Sequence, residues 1–438
     1  MTMISWVRLS LVWFGFAFQF SLVHADTGIL SDDEDVVYRT VQVQIVHRHG
    51  DRSPITPLLD EDYWASQLVP AEQLKELEQN YRVIRDASNA YNHNAGGRGV
   101  FGKLSELGLE QMVDVGLGLR KEFTSNEGDL LHTALFDPEQ NPLSSDNVRV
   151  YSTDFPRTIQ SVQGLVKGLF GQQDPDQPID IDVRQTTMMI PDPQPRETVE
   201  QGQLEIALVN RPHILIREQQ NLALAARATK ALHHLLAPDA REAAFGVVQE
   251  HPEDVSIEEE PLAWNQLAEL SKCLKVRNLL PEGISSDDVE EIGQHTAWRW
   301  FETLSHPRLI YLAMNEWVTT QVESMKRALD VSQPALTIWS CHDSSLIGML
   351  CAYRLEKPQT WPEYSTVFLM EVVEVMRPNQ PQDTHPELAV RFSINGERLR
   401  ILWDPENPMD VIPLELLAQK IATETGEPFD ARTFANEL

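Results

Sequence analysis

Two arginines and a histidine fall within five residues at Arg48-His49-Gly50-Asp51-Arg52, and the run continues into Ser53-Pro54. A guanidinium fork meets two oxygens of a phosphoryl group at once, which an ammonium does not. A third arginine, Arg157, follows Ser152-Thr153-Asp154-Phe155-Pro156, where Asp154 is expected to cap a helix and Pro156 to occupy its first turn. A cation in that turn opposes the helix dipole by about 0.3–1 kcal/mol unless an anion shares the site, so Arg157 points to a bound anion. His342-Asp343 adds a second imidazole and a carboxyl group. Three Arg, two His and one Asp suit phosphoryl transfer through a covalent phosphohistidine. One neutral imidazole would attack phosphorus while the guanidinium groups and the other imidazole hold its oxygens. The carboxylic acid would protonate the departing alcohol, a step worth about 10²–10⁴-fold, and then act as base for water. A free Asp titrates near ~3.9 and neighbouring Arg lower it, so this chemistry predicts best turnover below neutral pH, with a dianionic substrate favouring the protonated carboxyl.

These residues must be brought together by the elements that precede them. Val41 to Val46 alternates apolar residues with Gln and reads as a strand that ends at the first motif. Val148 to Tyr151 and Leu336 to Ser340 read as strands ending at the second and third, and loops at the carboxyl ends of strands form the binding crevice of an open α/β sheet. Helices are expected over 104–123, with Ser105 as cap, and from Pro156 to about Phe170; Gly108, Gly116 and Gly118 in the former imply close backbone packing. Residues 60–91 read as alternating helical and irregular pieces, and 92–99 as a Gly/Asn-rich loop. Strand character is lost over 184–331, where long helical stretches (222–236, 261–280, 298–304 and 312–329) are separated by acidic loops such as Glu258-Glu259-Glu260. Further strands at 367–375, 388–394 and 399–403 and a helix from Pro413 close the chain, with Pro-rich surface connections at 191–195 and 378–386. The expected organisation is residues 26–183 and 332–438 as the two parts of an α/β domain, with 184–331 inserted as a helical cap.

Composition narrows the function classes. The 438 residues carry 36 Lys and Arg against 66 Asp and Glu, a formal charge of −30, which argues against general attraction to nucleic acid or an anionic membrane surface. Leu9 to Val23 is nearly all apolar after Arg8, and Val23-His24-Ala25 ends in a small residue, so 1–25 is expected to be a secretory signal, too short to span a bilayer at the usual ~20 residues. The mature chain would then have no membrane span and would be secreted or lysosomal or vacuolar. Cys273, Cys341 and Cys351 allow at most one internal disulfide and read as core residues. His47 is expected to point away from the site, and Asp51 to orient or neutralise its loop. A metal site fits poorly, because the imidazoles share their loops with cationic Arg; no cofactor is expected. Phe101, Phe155, Trp361 and Tyr364 are candidates for substrate-facing apolar surface, with core roles expected for each.

The run Arg48-His49-Gly50-Asp51-Arg52-Ser53-Pro54 resembles the Arg-His-Gly-x-Arg-x-Pro signature of the histidine acid phosphatases, branch 2, and His342-Asp343 resembles their second motif. Ser152 to Thr158 looks like their third arginine loop, and Gly102 to Gln111 like the helix opening between the motifs. The likeness extends from about Val41 to Glu424. It implies a phosphoglycerate-mutase-like sheet domain flanked by helices with a helical cap and no metal. By the resemblance, His49 is the phosphorylated nucleophile, Arg48, Arg52, Arg157 and His342 hold the phosphate, and Asp343 donates the proton. Ala95-Gly96-Gly97 and Trp361-Pro362 look like the lysophosphatidic acid phosphatase type, which implies lysophosphatidate or small sugar phosphates as substrates. An inositol-polyphosphate phosphatase, a phosphomutase and a catalytically silent phosphate-binding protein are the alternatives. The oligomeric state stays open.

Overall fold

The apolar alternation of the first strand runs further than its sequence core: β1 spans Val37–Arg48, so Arg48 is its last residue. In the computed structural model, which describes residues 36–85, 96–124, 135–136, 145–171, 178–184, 186–191, 198–245, 261–377 and 386–430, it lies near the middle of one sheet. The expected signal segment, residues 92–95 of the Gly/Asn loop, the acidic run 258–260 and most of the two Pro-rich connections lie outside the described residues.

After β1 come α1 (Glu61–Ser66), α2 (Ala71–Asn80), β2 (Tyr81–Arg85), α3 (Glu106–Thr124), β3 (Val148–Thr153), α4 (Pro156–Phe170) and β4 (Ile179–Arg184). Helices α5 (Thr186–Met189), α6 (Val199–Val209), α7 (Pro212–His233), α8 (Pro238–Phe245), α9 (Trp264–Val276), α10 (Ser286–Leu304) and α11 (Pro307–Met325) follow. The chain ends with β5 (Leu336–Cys341), α12 (Asp343–Ala352), β6 (Val367–Met376), β7 (Glu387–Ile394), β8 (Glu397–Leu399), β9 (Ile412–Pro413) and α13 (Leu414–Thr423). The sheet order is β2-β4-β3-β5-β1-β6-β7-β8, with β9 against β7. Strands β2, β4, β3, β5 and β1 pair in parallel, and β6 onwards antiparallel.

Three strands went unread in the sequence, β2, β4 and the two-residue β9. In Ile179-Asp180-Ile181-Asp182-Val183 the odd positions are buried and the aspartates half-exposed, a period of two that marks a strand. The last strand-like run is shorter than 399–403: β8 ends at Leu399, and Ile401 makes only isolated bridges with Leu355 and Met409.

Faces of β1 serve two layers. Val43 and Ile45 pack with α3 and α4 residues such as Met112, Leu165 and Leu169, whereas Val46 joins Trp317, Trp339 and Leu350 on the opposite face. Gly116 lets α3 and α4 touch backbone to backbone, since a Cβ there would lie 2.0 Å from the Leu165 carbonyl oxygen. Apolar side chains of the 184–331 stretch divide between two cores. Those of α6, the end of α10 and α11 join the sheet, and those of α7, α8, α9 and the start of α10 form a separate cluster with Leu58, Trp64 and Phe101. All three cysteines are free and buried.

Candidate active site

Strands β3, β5 and β1 are neighbours and end level: Ser152 pairs with Ser340, and Arg48 with Cys341. Their carboxyl-end loops therefore open side by side, carrying Arg157, His342-Asp343 and Arg48-His49-Arg52 to one place. A cavity of about 330 Å³ opens there, lined by Arg48, Arg52, Arg157, His342 and Asp343. His49 is not part of its lining. It is 2% exposed, with its ring 5.7 Å from that of His342 and 5.9 Å from that of Tyr364, both of which line the cavity.

The His49 Nδ1–H donates to the Gly50 carbonyl at 2.8 Å, which leaves Nε2 with the lone pair a nucleophile needs. Burial, with Arg157, Arg48, Arg52 and His342 adding to it, holds this imidazole well below its ordinary titration range. It is therefore neutral even in acid. His342 is lowered likewise, by burial first and Arg157 next, with Asp343 opposing; its Nε2 pairs with Thr153 Oγ1 at 3.0 Å. The Asp343 Oδ2 faces Arg48 Nη2 at 2.7 Å and accepts from Trp361 Nε1 at 2.9 Å. Burial alone would raise this carboxyl, but Arg48 and the Trp361 hydrogen bond outweigh it and keep it below the usual carboxylate range. Without an anion in the cavity Asp343 is ionised, and a phosphate drawing on Arg48 would return it toward the protonated form.

The first loop is held from several sides. Ser161 Oγ of α4 accepts from the Gly50 amide at 3.0 Å, and Gln111 Oε1 of α3 from the Asp51 amide at 2.9 Å. Gly50 faces Gly108 so closely that a Cβ would lie 2.2 Å from the Gly108 carbonyl oxygen. Ser105 caps α3 as expected, its Oγ accepting from the Gly108 amide at 3.0 Å and donating to Asp51 Oδ2 at 2.6 Å. Arg157 lies in the first turn of α4, but the cap residue is Phe155, not Asp154. Pro156 takes the first helical position, which places Asp154 one residue too early, and Asp154 instead pairs with Arg85 at 2.9 Å. The Arg157 Nη1 donates to the carbonyls of Gly96 and Gly102, each at 3.3 Å, and its guanidinium lies 4.5 Å from the Phe155 ring centroid.

Of the four aromatic residues weighed toward the core, three serve the site instead. Phe155, Trp361 and Tyr364 line the cavity, whereas Phe101 alone of that group belongs wholly to a core. The Tyr364 ring stacks on the Arg48 guanidinium at 4.3 Å. Glu269 of α9 lies 3.3 Å from Arg52 Nη1 while its Oε1 accepts from the Ile55 and Thr56 amides at 2.7 and 2.8 Å. No local signal marks Glu269, because Arg52, Ile55 and Thr56, which tie it to the site, are more than two hundred residues away. His47 is fully buried, with Nδ1 donating to the Arg48 carbonyl, and burial lowers it to about 4. Asp51 is buried in a pair with Arg277, Nη2 to Oδ2 2.6 Å. No described helix is long and apolar enough to cross a membrane.

Comparison with known proteins bears on this geometry. Residues 41–247 match the model of the histidine phosphatase superfamily, branch 2, which takes in the first two motifs. Counting factor 60 of Dictyostelium discoideum is 24% identical over 377 residues, covering 81% of this chain and 79% of that protein. Lysophosphatidic acid phosphatase type 6 of Bos taurus is 34% identical over 144 residues, 30% of this chain and 31% of the relative. The structure of a Hafnia alvei phytase bound to myo-inositol hexakis sulphate superposes with a TM-score of 0.55 at 13% identity, over 89% of this chain and 98% of that one, a likeness of fold. The chain belongs to branch 2 of the histidine phosphatase superfamily and is a hydrolase of the histidine acid phosphatase type acting on phosphomonoesters.

Proposed function

We propose that this enzyme hydrolyses monoesters carrying a single phosphate, with His49 as the phosphorylated nucleophile. Arg48, Arg52, Arg157 and His342 hold the phosphoryl oxygens, and Asp343 protonates the leaving alcohol. The observation that carries the reading is the convergence of three level strand ends on one cavity, with a neutral imidazole among three guanidinium groups. Nε2 of His49 attacks phosphorus and the ester bond to the alcohol breaks as Asp343 gives up its proton. Water, deprotonated by Asp343, then attacks the phosphohistidine and releases inorganic phosphate.

Charge along the cavity supports a single phosphate. Among the described residues, its lining offers one further cation beyond the three arginines, Lys272, and that ammonium is paired with Glu363; Glu269 and Glu290 face the same space. A second phosphate would meet carboxylates rather than free cations. Trp300, Trp361, Phe155 and Ile190 supply apolar wall for the alcohol, as a lysophosphatidate or a small organic phosphate would use. A second reading, hydrolysis of inositol polyphosphates, draws support from the phytase fold likeness. The test is a panel of lysophosphatidate, sugar phosphates, an aryl phosphate and phytate, run on the parent and on His49→Ala. Expected are turnover of monophosphates over phytate and a loss of at least about 10³-fold in His49→Ala. Equal rates in the two proteins would remove His49 from the mechanism, and phytate as the best substrate would establish the second reading.

A further inference from the structure

Asp51 is a carboxylate buried within the loop that, on the proposed reading, grips an anion; Arg52 follows it directly and one residue separates it from His49. A free carboxylate there would compete with phosphate for the guanidinium groups. Three hydrogen bonds engage it instead. Ser105 Oγ and Arg277 Nη2 each reach Oδ2 at 2.6 Å, and Arg277 Nη1 reaches Oδ1 at 3.3 Å. Arg277 follows the last residue of α9, and its side chain is 7% exposed, with the guanidinium 5.1 Å from the Trp64 ring centroid and Nη1 also donating to the Cys273 carbonyl at 3.0 Å. Glu269, Cys273 and Arg277 recur every four residues, so one stripe of α9 faces the loop: Glu269 and Cys273 at Arg52, Arg277 at Asp51.

Neither Asp51 nor Arg277 lines the cavity. Arg277 therefore serves Asp51 and not the substrate. Stability is a weak reason for such a pair, because the cost of removing two charges from water offsets most of their attraction. The charge of Asp51 is also felt in the cavity wall, where it helps to raise the Tyr364 hydroxyl, after burial and Cys273.

We propose that Arg277 is a positioning residue of the phosphate site: it holds the Asp51 carboxylate away from the clamp arginines and so keeps them available to substrate phosphate. The helical insertion thereby sets the anion affinity of a loop in the sheet domain. The inference rests on the arginine-clamp reading above.

The test compares the parent with Arg277→Met, Asp51→Asn and the double variant, reading kcat, KM, competitive inhibition by inorganic phosphate, and thermal midpoint. Arg277→Met is expected to raise KM and the phosphate inhibition constant together by about tenfold, with kcat moving less. The double variant should return both constants to within about twofold of the parent even where its melting point differs, because the competing charge is gone. Phosphate inhibition that is alike in all four proteins, or a double variant as weak as Arg277→Met, overturns the role of Arg277 and leaves the clamp standing. Phosphate that fails to inhibit even the parent overturns both. If Arg277→Met does not fold, Asp51→Asn decides: weaker phosphate binding than in the parent overturns the proposal.

Discussion

At the scale of single residues, the site runs on opposed titrations. His49 is held neutral far below its ordinary range by burial and by the arginines, while Asp343 is held ionised by Arg48 and Trp361 until an anion draws on Arg48. An unperturbed histidine, titrating near ~6.5, would be protonated and unable to attack in mild acid. On the proposed mechanism the lowered His49 removes that limit, so the acid limb of kcat/KM is expected well below 6.5 and the basic limb to follow loss of the Asp343 proton. Asp343→Asn separates the two. It should slow alkyl phosphates by about 10²–10⁴-fold and an aryl phosphate, whose leaving group needs little help, far less. Equal losses on both ester types would remove Asp343 as the acid.

Elements carry these residues only where backbones approach closely. Arg157 rides on α4, and α4 is placed by its contact with α3 at Gly116. An added Cβ at Gly116 would lie 2.0 Å from the Leu165 carbonyl and 2.8 Å from the Leu169 amide, both backbone atoms that no rotamer change can clear. Gly293 of α10 is the contrast, since a Cβ there meets nothing within 4 Å. Gly116→Ala is expected to cost about 1–3 kcal/mol and to raise KM by shifting Arg157, whereas Gly293→Ala should gain about 0.5–1 kcal/mol from helix propensity alone. Denaturant unfolding of both variants beside the parent checks the pair of signs. The loop of Gly96 to Gly102 is a further case: Gly102 takes a φ of 72°, and the two carbonyls it presents with Gly96 hold the guanidinium of Arg157.

For the whole molecule, the same burial that readies the site for acid weakens the fold there. His47, His49 and His342 are buried and lowered, His47 to about 4, whereas the unfolded chain titrates these groups near ~6.5. Below that value the unfolded state binds protons that the native state refuses. Stability is therefore full above about 6.5 and falls as pH drops toward about 4, by up to about 1.4 kcal/mol per pH unit for each histidine. His47 touches no substrate, so His47→Asn is expected to flatten the melting temperature between pH 6.5 and 4.5, and inorganic phosphate to raise it by binding the native state alone. A slope that His47→Asn leaves unchanged would place the acid sensitivity elsewhere.

Residue order along the chain was enough to locate the motifs Arg48 to Arg52, Arg157 and His342-Asp343, and to put each just after a strand, because strand periodicity and helix-start chemistry are local. It also showed that Gly108 and Gly116 need a backbone neighbour, since a glycine inside a helix is otherwise a loss. Missing from local pattern were the order β3-β5-β1, which makes the three strand ends adjacent, and the short β2, too brief for its alternation to stand out. Glu269 and Arg277 were equally hidden: on a charged helix they resemble solvated surface, and only packing of α9 against the signature loop buries them beside Arg52 and Asp51. Trp361 read as an ordinary core residue until the structure placed its indole N–H on the Asp343 carboxylate. Periodicity reports what each segment does to its own neighbours in the chain, and contacts between segments depend on sheet pairing and side-chain packing, which exist only once the chain has folded.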